Sequence, residues 1–240
     1  MIKTLVFAAM LAANTFVPTL HEGDAVPAVP LIDQSGAAFS LASLRGDAVV
    51  LTFFYTRCPD ARMCPLESLK FARIQHALRP GEPVKLVELT LDPRFDAPSV
   101  LEAYGRAYGA DFSRWTLATG APASLDDLAT RLGVASEWTT PSTLVHTEAT
   151  IVLDKQGTIA EIVDGNAWTV DQMLGLARDA AGEGGSPLAR VGSWLTAAAQ
   201  ACGGGTLPLS AWELLAAVAL LTGAFVWLLL RSMLRPSGRT

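Results

Sequence analysis

The chain has 240 residues, a formal net charge of −5, and 50% hydrophobic against 17% charged residues. That length suits one domain of about 150 residues with appendages. The composition excludes a disordered acidic or basic tail, and the charge offers no basic footprint for nucleic acid.

In chain order, Lys3 precedes a short apolar stretch from Leu5 to Val17, broken by Asn14 and Thr15 and short for a bilayer span. Residues 1–20 therefore read as a secretory signal, with an uncleaved anchor as the competing reading. Residues 21–28 form a lead-in rich in Pro, Gly and acidic groups, and the domain is expected over 29–181. Leu31, Ile32 and Phe39 around Gln34-Ser35-Gly36 predict a small hairpin, and Ala48 to Tyr55 is a continuous β-favouring run suited to a strand buried on both faces. After a cysteine-bearing segment, Leu66, Leu69, Ile74 and Leu78 fall near helical spacing, predicting a helix from Pro65 that ends at Arg79-Pro80-Gly81.

Val84 to Leu91 predicts a second buried strand stopped by Asp92-Pro93, and Ser99 to Tyr108 a helix capped by Ser99 or Asp96. Trp115 to Ala118 reads as a short strand and Ser124 to Leu132 as a helix capped by Ser124 and stopped by Gly133. Thr150 to Leu153 and Thr158 to Val163 form a hairpin through a turn opened by Asp154, and Thr169 to Ala181 closes with a helix. Alternating strands and helices of this kind predict an α/β fold, a central sheet covered by helices on both faces.

Residues 182–206 read as a linker holding an amphipathic helix at Leu188 to Ala201 and a joint at Gly203-Gly204-Gly205. The run LLAAVALLTGAFVWLLL at 214–230 lies between Trp212 and Arg231, with Trp227 near its end and Arg235 and Arg239 beyond. It predicts one transmembrane helix over 207–231 and, by the positive-inside rule, a cytoplasmic tail at 232–240; a buried core helix is the bland alternative. On this reading the domain is membrane-anchored and faces the periplasm, where a disulfide persists.

Three cysteines are too few for a disulfide scaffold but enough for one working pair and a further thiol. The segment Tyr55-Thr56-Arg57-Cys58-Pro59-Asp60-Ala61-Arg62-Met63-Cys64-Pro65 places one cysteine after a strand and the other before a helix. On a single helix, residues six apart would point about 120° from each other across about 9 Å of rise. They could then share neither a disulfide nor a metal, so the residues between them must loop back. Pro65 suits the first helical position, which makes Cys64 an N-cap and predicts a lowered thiol pKa there, with Arg57 and Arg62 adding positive charge. The bland alternatives are two unrelated buried cysteines or a static disulfide pinning a loop.

The motifs FFYTRCPDARMCP at 53–65, TLDPRFDAPSVLEAYGRAYG at 90–109, WTLATG at 115–120 and LVHTEATIVLDKQGTI at 144–159 resemble the Sco/SenC family of thioredoxin-fold copper proteins. The resemblance spans residues 27–181 and implies a thioredoxin-like fold with a mixed sheet. It also implies a Cys2His copper site made by Cys58, Cys64 and His146, and a metallochaperone role. The recipient implied is the copper-site subunit of a respiratory haem–copper oxidase. The chain departs from the family in two ways: its cysteines are spaced Cys-x5-Cys rather than the usual Cys-x3-Cys, and its apolar span follows the domain instead of preceding it. Two thiolates and an imidazole suit a copper ion on chemical grounds, and a structural zinc site would want a fourth ligand. Met63 is a conceivable extra thioether, though a loop methionine more often packs.

The competing reading is a membrane-anchored thiol-disulfide oxidoreductase in which Cys58 and Cys64 are a redox pair and His146 is dispensable. A peroxidase is disfavoured because Thr56 lies only two positions before Cys58. His21 and His76 read as solvated, Asp92 as a strand terminator, Trp168 as a core cap, and Cys202 as a thiol without an assigned role.

Overall fold

The computed structural model describes residues 18–141 and 143–182. A hairpin of β1 (Leu31–Asp33) and β2 (Ala38–Phe39) opens the fold, followed by a short 3-10 turn at Leu41–Leu44. Then come β3 (Ala48–Phe54), α1 (Cys64–Ala77), β4 (Val84–Thr90), α2 (Pro98–Ala107), β5 (Trp115–Gly120) and α3 (Pro122–Arg131). The strands β6 (Ser136–Thr140), β7 (Thr143–His146), β8 (Ala149–Leu153) and β9 (Ile159–Asp164) precede the closing helix α4 (Val170–Ala180).

Seven strands form one mixed sheet in the order β2-β1-β5-β4-β3-β8-β9. Strands β3, β4 and β5 are parallel, each step carried by a helix, while β1, β8 and β9 join antiparallel. The two-residue period of β3 sorts its side chains between two cores. Val50 and Phe54 pack with Phe71 and Ile74 of α1 and Met173 and Leu174 of α4. Val49, Leu51 and Phe53 pack on the other face with Leu125 and Leu128 of α3. A mixed sheet with helices on both faces is the thioredoxin-like α/β architecture.

Some local expectations change. Helices α2 and α3 begin at Pro98 and Pro122 after Ala97 and Ala121, without a side-chain cap; proline at the first position lacks the amide that a cap would serve. The Gly133 stop stands, at φ +93, the left-handed conformation that glycine adopts without penalty. On α1 the buried face is Phe71, Ile74, Glu67 and Ser68, while Leu69 is 49% exposed. The lead-in is held rather than loose: Ile159 donates to the Asp24 carbonyl, Gly23 to that of Ile159, and Ala25 bridges Thr158. The two-stranded ribbon β6–β7 was not expected at all. Strand β6 leaves Glu137 to Thr140 exposed one after another, so neither an apolar run nor an alternation announces it.

The membrane part of the sequence reading is corrected. Among the described residues no helix is long and apolar enough to cross a membrane. The longest described helix, α1 at 14 residues, extends about 21 Å against a hydrocarbon core of about 30 Å. The transmembrane span at 207–231, the linker helix, Cys202, the tail and residues 1–17 lie outside the described residues. The anchored, periplasm-facing topology with a cytoplasmic C-terminus rested on hydropathy and on flanking tryptophans and arginines, which report composition and not placement. The architecture is therefore the thioredoxin-like domain, without a transmembrane helix among the described residues.

Candidate metal centre

Strand β3 ends at Phe54, and the Cys58 amide donates to the Tyr55 carbonyl at 3.2 Å, turning the chain at the strand's carboxyl end. Asp60 then closes the loop: its carboxylate accepts from the Arg62 amide at 2.9 Å and its carbonyl from the Met63 amide at 3.0 Å. This return places Cys64 at the first turn of α1, with Met63 at the cap position and Pro65 next. His146 ends β7, opposite Ser136 of β6.

The loop-back inferred from the cysteine spacing is what the structure contains. The Cys58, Cys64 and His146 ligand atoms all lie within 4.8 Å of one another, close enough to share one metal ion. Cys64 Sγ stands 3.4 Å from His146 Nε2. On its other side the ring donates Nδ1–H to the Thr147 carbonyl at 2.9 Å, since a carbonyl can only accept. That bond selects the tautomer whose Nε2 lone pair faces the thiols. Tyr55 fixes the same element twice, by donating its hydroxyl to the Leu144 carbonyl at 2.9 Å and by an edge-on ring contact with His146.

The two thiols are unlike, in the opposite sense to the one expected. Cys58, partly exposed on the loop, is lowered to about 4, first by the hydrogen bond from Cys64, with backbone groups adding and burial opposing. Cys64 is only 1% exposed, and its thiol is pushed up, first by donating to Cys58, then by burial and the Cys58 charge. Helix position therefore loses to burial and to the neighbouring sulfur. The arginines act elsewhere: Arg62 pairs with Asp60 in solvent, and Arg57 pairs with Asp92 at 2.6 Å while lying 4.0 Å over the Phe95 ring. Tyr55 is pushed up to about 12, by burial first and the Cys58 charge next.

Residues that sequence reasoning gave other roles hold this loop. Asp96, read as a helix cap, is fully buried and accepts from the Thr56 amide at 3.1 Å, from the Thr56 hydroxyl, and from the Thr90 hydroxyl at 2.5 Å. Asp92, read as a strand terminator, is the Arg57 partner. Asn166 donates to the Arg62 carbonyl at 2.7 Å, tying the loop to the segment before α4. Below it, Trp168 donates to Thr150, which donates to the buried Glu67, and Ser68 and Trp115 donate to the buried Glu88. Asp154 serves its turn, accepting from the Gln156 and Thr158 amides at 2.9 Å. His21 and His76 are exposed and remote from the cluster.

Comparison with known proteins bears on the fold and the family. An SCO2-like protein of Rickettsia prowazekii is 35% identical over 83 residues, which are 34% of this chain and 40% of that protein; the chain thus spans well under half of the relative's length. The crystal structure of a SCO1/SenC family lipoprotein from Bacillus anthracis superposes with a TM-score of 0.59 at 21% identity, covering 66% of this chain and 94% of that one. Bradyrhizobium japonicum ScoI with copper bound gives a TM-score of 0.55 at 23% identity, covering 65% and 98%. These structural likenesses speak for the fold. Family membership and the Cys/Cys/His cluster together support a copper-binding role. The SCO1/SenC family model matches residues 20–180, and the chain belongs to that family.

Proposed function

We propose that the chain is a copper carrier: Cys58, Cys64 and His146 hold one copper ion as cargo and release it by ligand exchange to the copper-site subunit of a respiratory haem–copper oxidase. The observation that supports this most is the convergence of two sulfurs and an imidazole nitrogen within 4.8 Å. Such soft to borderline donors suit copper. Cys58 is largely ionised before any metal arrives. Cys64 gives up its proton on loading, so loading releases protons to solvent. His146 is presented by a ribbon that Tyr55 steadies, which spares the site part of the ordering cost.

The test is copper titration of the reduced full chain and of His146→Ala. The wild type is expected to bind one equivalent tightly, and the variant to lose that affinity while retaining thiol-disulfide exchange. Unchanged one-equivalent binding by the variant removes His146 from the ligand set; absence of copper binding by the wild type removes the carrier reading.

The asymmetry of the thiols favours a second reading, a thiol-disulfide oxidoreductase. The Cys58 thiolate would attack a partner disulfide, releasing one partner sulfur as a thiolate; Cys64, deprotonated, would then displace the other. The products are a Cys58–Cys64 disulfide and a partner dithiol. This activity survives His146→Ala and is lost in Cys58→Ser.

A further inference from the structure

Two cavities beside the thiol loop, of about 700 Å³ and 340 Å³, share Asp92, Arg94 and Trp138 and so make one trench. One wall is β6, through Ser136, Trp138, Thr139 and Thr140; the other is the loop after β4 with the start of α3, and no residue of β7 lines it. The edge of β6 away from β7 pairs with no strand among the described residues, and such an edge is a template for an added extended segment.

The lining is chemically distinctive. Trp138 and Phe95 are 43% and 44% exposed, two large aromatics left in water on one trench. Single exposed apolar residues are ordinary on any surface; two on one trench beside a reactive loop mark a contact site. Arg57, matched by Asp92, lines the cavity next to Cys58, Asp126 lines the other, and the exposed Arg94 lines both. The walls also connect to Cys58 and His146: Arg57 precedes Cys58, Ser136 pairs with His146, and Trp138 pairs with Leu144, whose carbonyl takes the Tyr55 hydroxyl.

We propose that this trench is the docking groove for an extended segment of the copper acceptor. The segment runs along β6, seats an apolar side chain between Trp138 and Phe95, and brings a carboxylate to Arg94. The assignment rests on the copper-carrier reading for the identity of the partner. Its geometric consequence is that the occupant touches the loop bearing Cys58 and the ribbon bearing His146, where ligand exchange must occur.

The test uses the reduced, copper-free full chain and, as probe, the soluble copper-site domain of a haem–copper oxidase subunit, also copper-free. Amide hydrogen exchange is measured with and without the probe, and affinity by calorimetry for wild type, Arg94→Glu and Trp138→Ala. Slowed exchange at 136–140 and 92–95 is expected, with each variant binding at least about tenfold more weakly. The Arg94→Glu loss should shrink as salt is raised. No binding, binding with protection elsewhere, or wild-type affinity in either variant overturns the proposal. So does protection that grows with the chain's own concentration, which would make a second copy the occupant. Because neither partner carries copper, failure of the wild type to load copper, with this protection retained, counts against the carrier reading alone.

Discussion

Glu88→Gln tests whether the buried carboxyls beneath α1 set the protein's response to pH. Glu88 lies in the middle of β4 with no exposure, accepting from Ser68 Oγ at 2.8 Å and from Trp115 Nε1 at 3.1 Å. Burial, with the nearby Glu67 charge adding, lifts its carboxyl from 4.5 to about 8. Below about pH 4.5 folded and unfolded chains are both protonated there, so the folded state holds its full advantage. As pH rises, the unfolded chain releases this proton first, and stability falls until the folded carboxyl also ionises near pH 8. At about 1.4 kcal/mol for each tenfold change in proton affinity, the loss over that interval is about 5 kcal/mol. Glutamine preserves the contacts: its Oε1 accepts from Trp115, and its Nε2 donates to Ser68, whose hydroxyl turns to Tyr104 at 2.9 Å. Urea denaturation of both proteins at about pH 5 and pH 8 isolates the effect as a difference of differences. Relative to wild type, the variant should gain about 3–5 kcal/mol on going from the lower to the higher pH. A gain below about 1 kcal/mol would refute the claim that Glu88 is held protonated by its surroundings.

The lowered Cys58 thiol predicts that alkylation of the reduced protein is confined to Cys58 and that its rate is nearly flat between about pH 6 and 8, where an ordinary thiol gains reactivity steeply; peptide mapping of the alkylated chain checks this, and Cys64 modified first would contradict the assigned polarity. Asp96→Ala should cost about 2–4 kcal/mol, because it strands the Thr56 amide and two threonine hydroxyls at the root of the thiol loop. The same variant should speed hydrogen exchange at residues 56–58, whereas unchanged exchange there would mean that the loop is held by other contacts.

Much of the centre was legible in local patterns. A β-favouring run into a Cys-x5-Cys segment with proline after the second cysteine can bring the two sulfurs together only by looping back at a helix start, and the structure has that loop. The helix of α1 was legible too, but its buried face was not. Leu69 points to solvent while Glu67 and Ser68 point inward, because Thr150 and Glu88 supply them with hydrogen-bond partners. Those partners sit 83 and 20 residues away along the chain, beyond any periodicity argument. The β6–β7 ribbon escaped notice for a related reason: a strand pair with most of β6 in water has no apolar alternation to display.

By itself, the sequence determined the order of the sheet-forming and helix-forming segments apart from β6 and β7, the need for a loop between Cys58 and Cys64, and the resemblance that singled out His146. These are consequences of chain connectivity and side-chain type, which a linear string records. Tertiary structure alone decided which thiol is ionised and what Arg57, Asp92 and Asp96 do. It also decided that His146, 82 residues beyond Cys64, turns its Nε2 toward the sulfurs. Each of those outcomes depends on burial and on which groups meet across the sheet, quantities that exist only once the strands have paired.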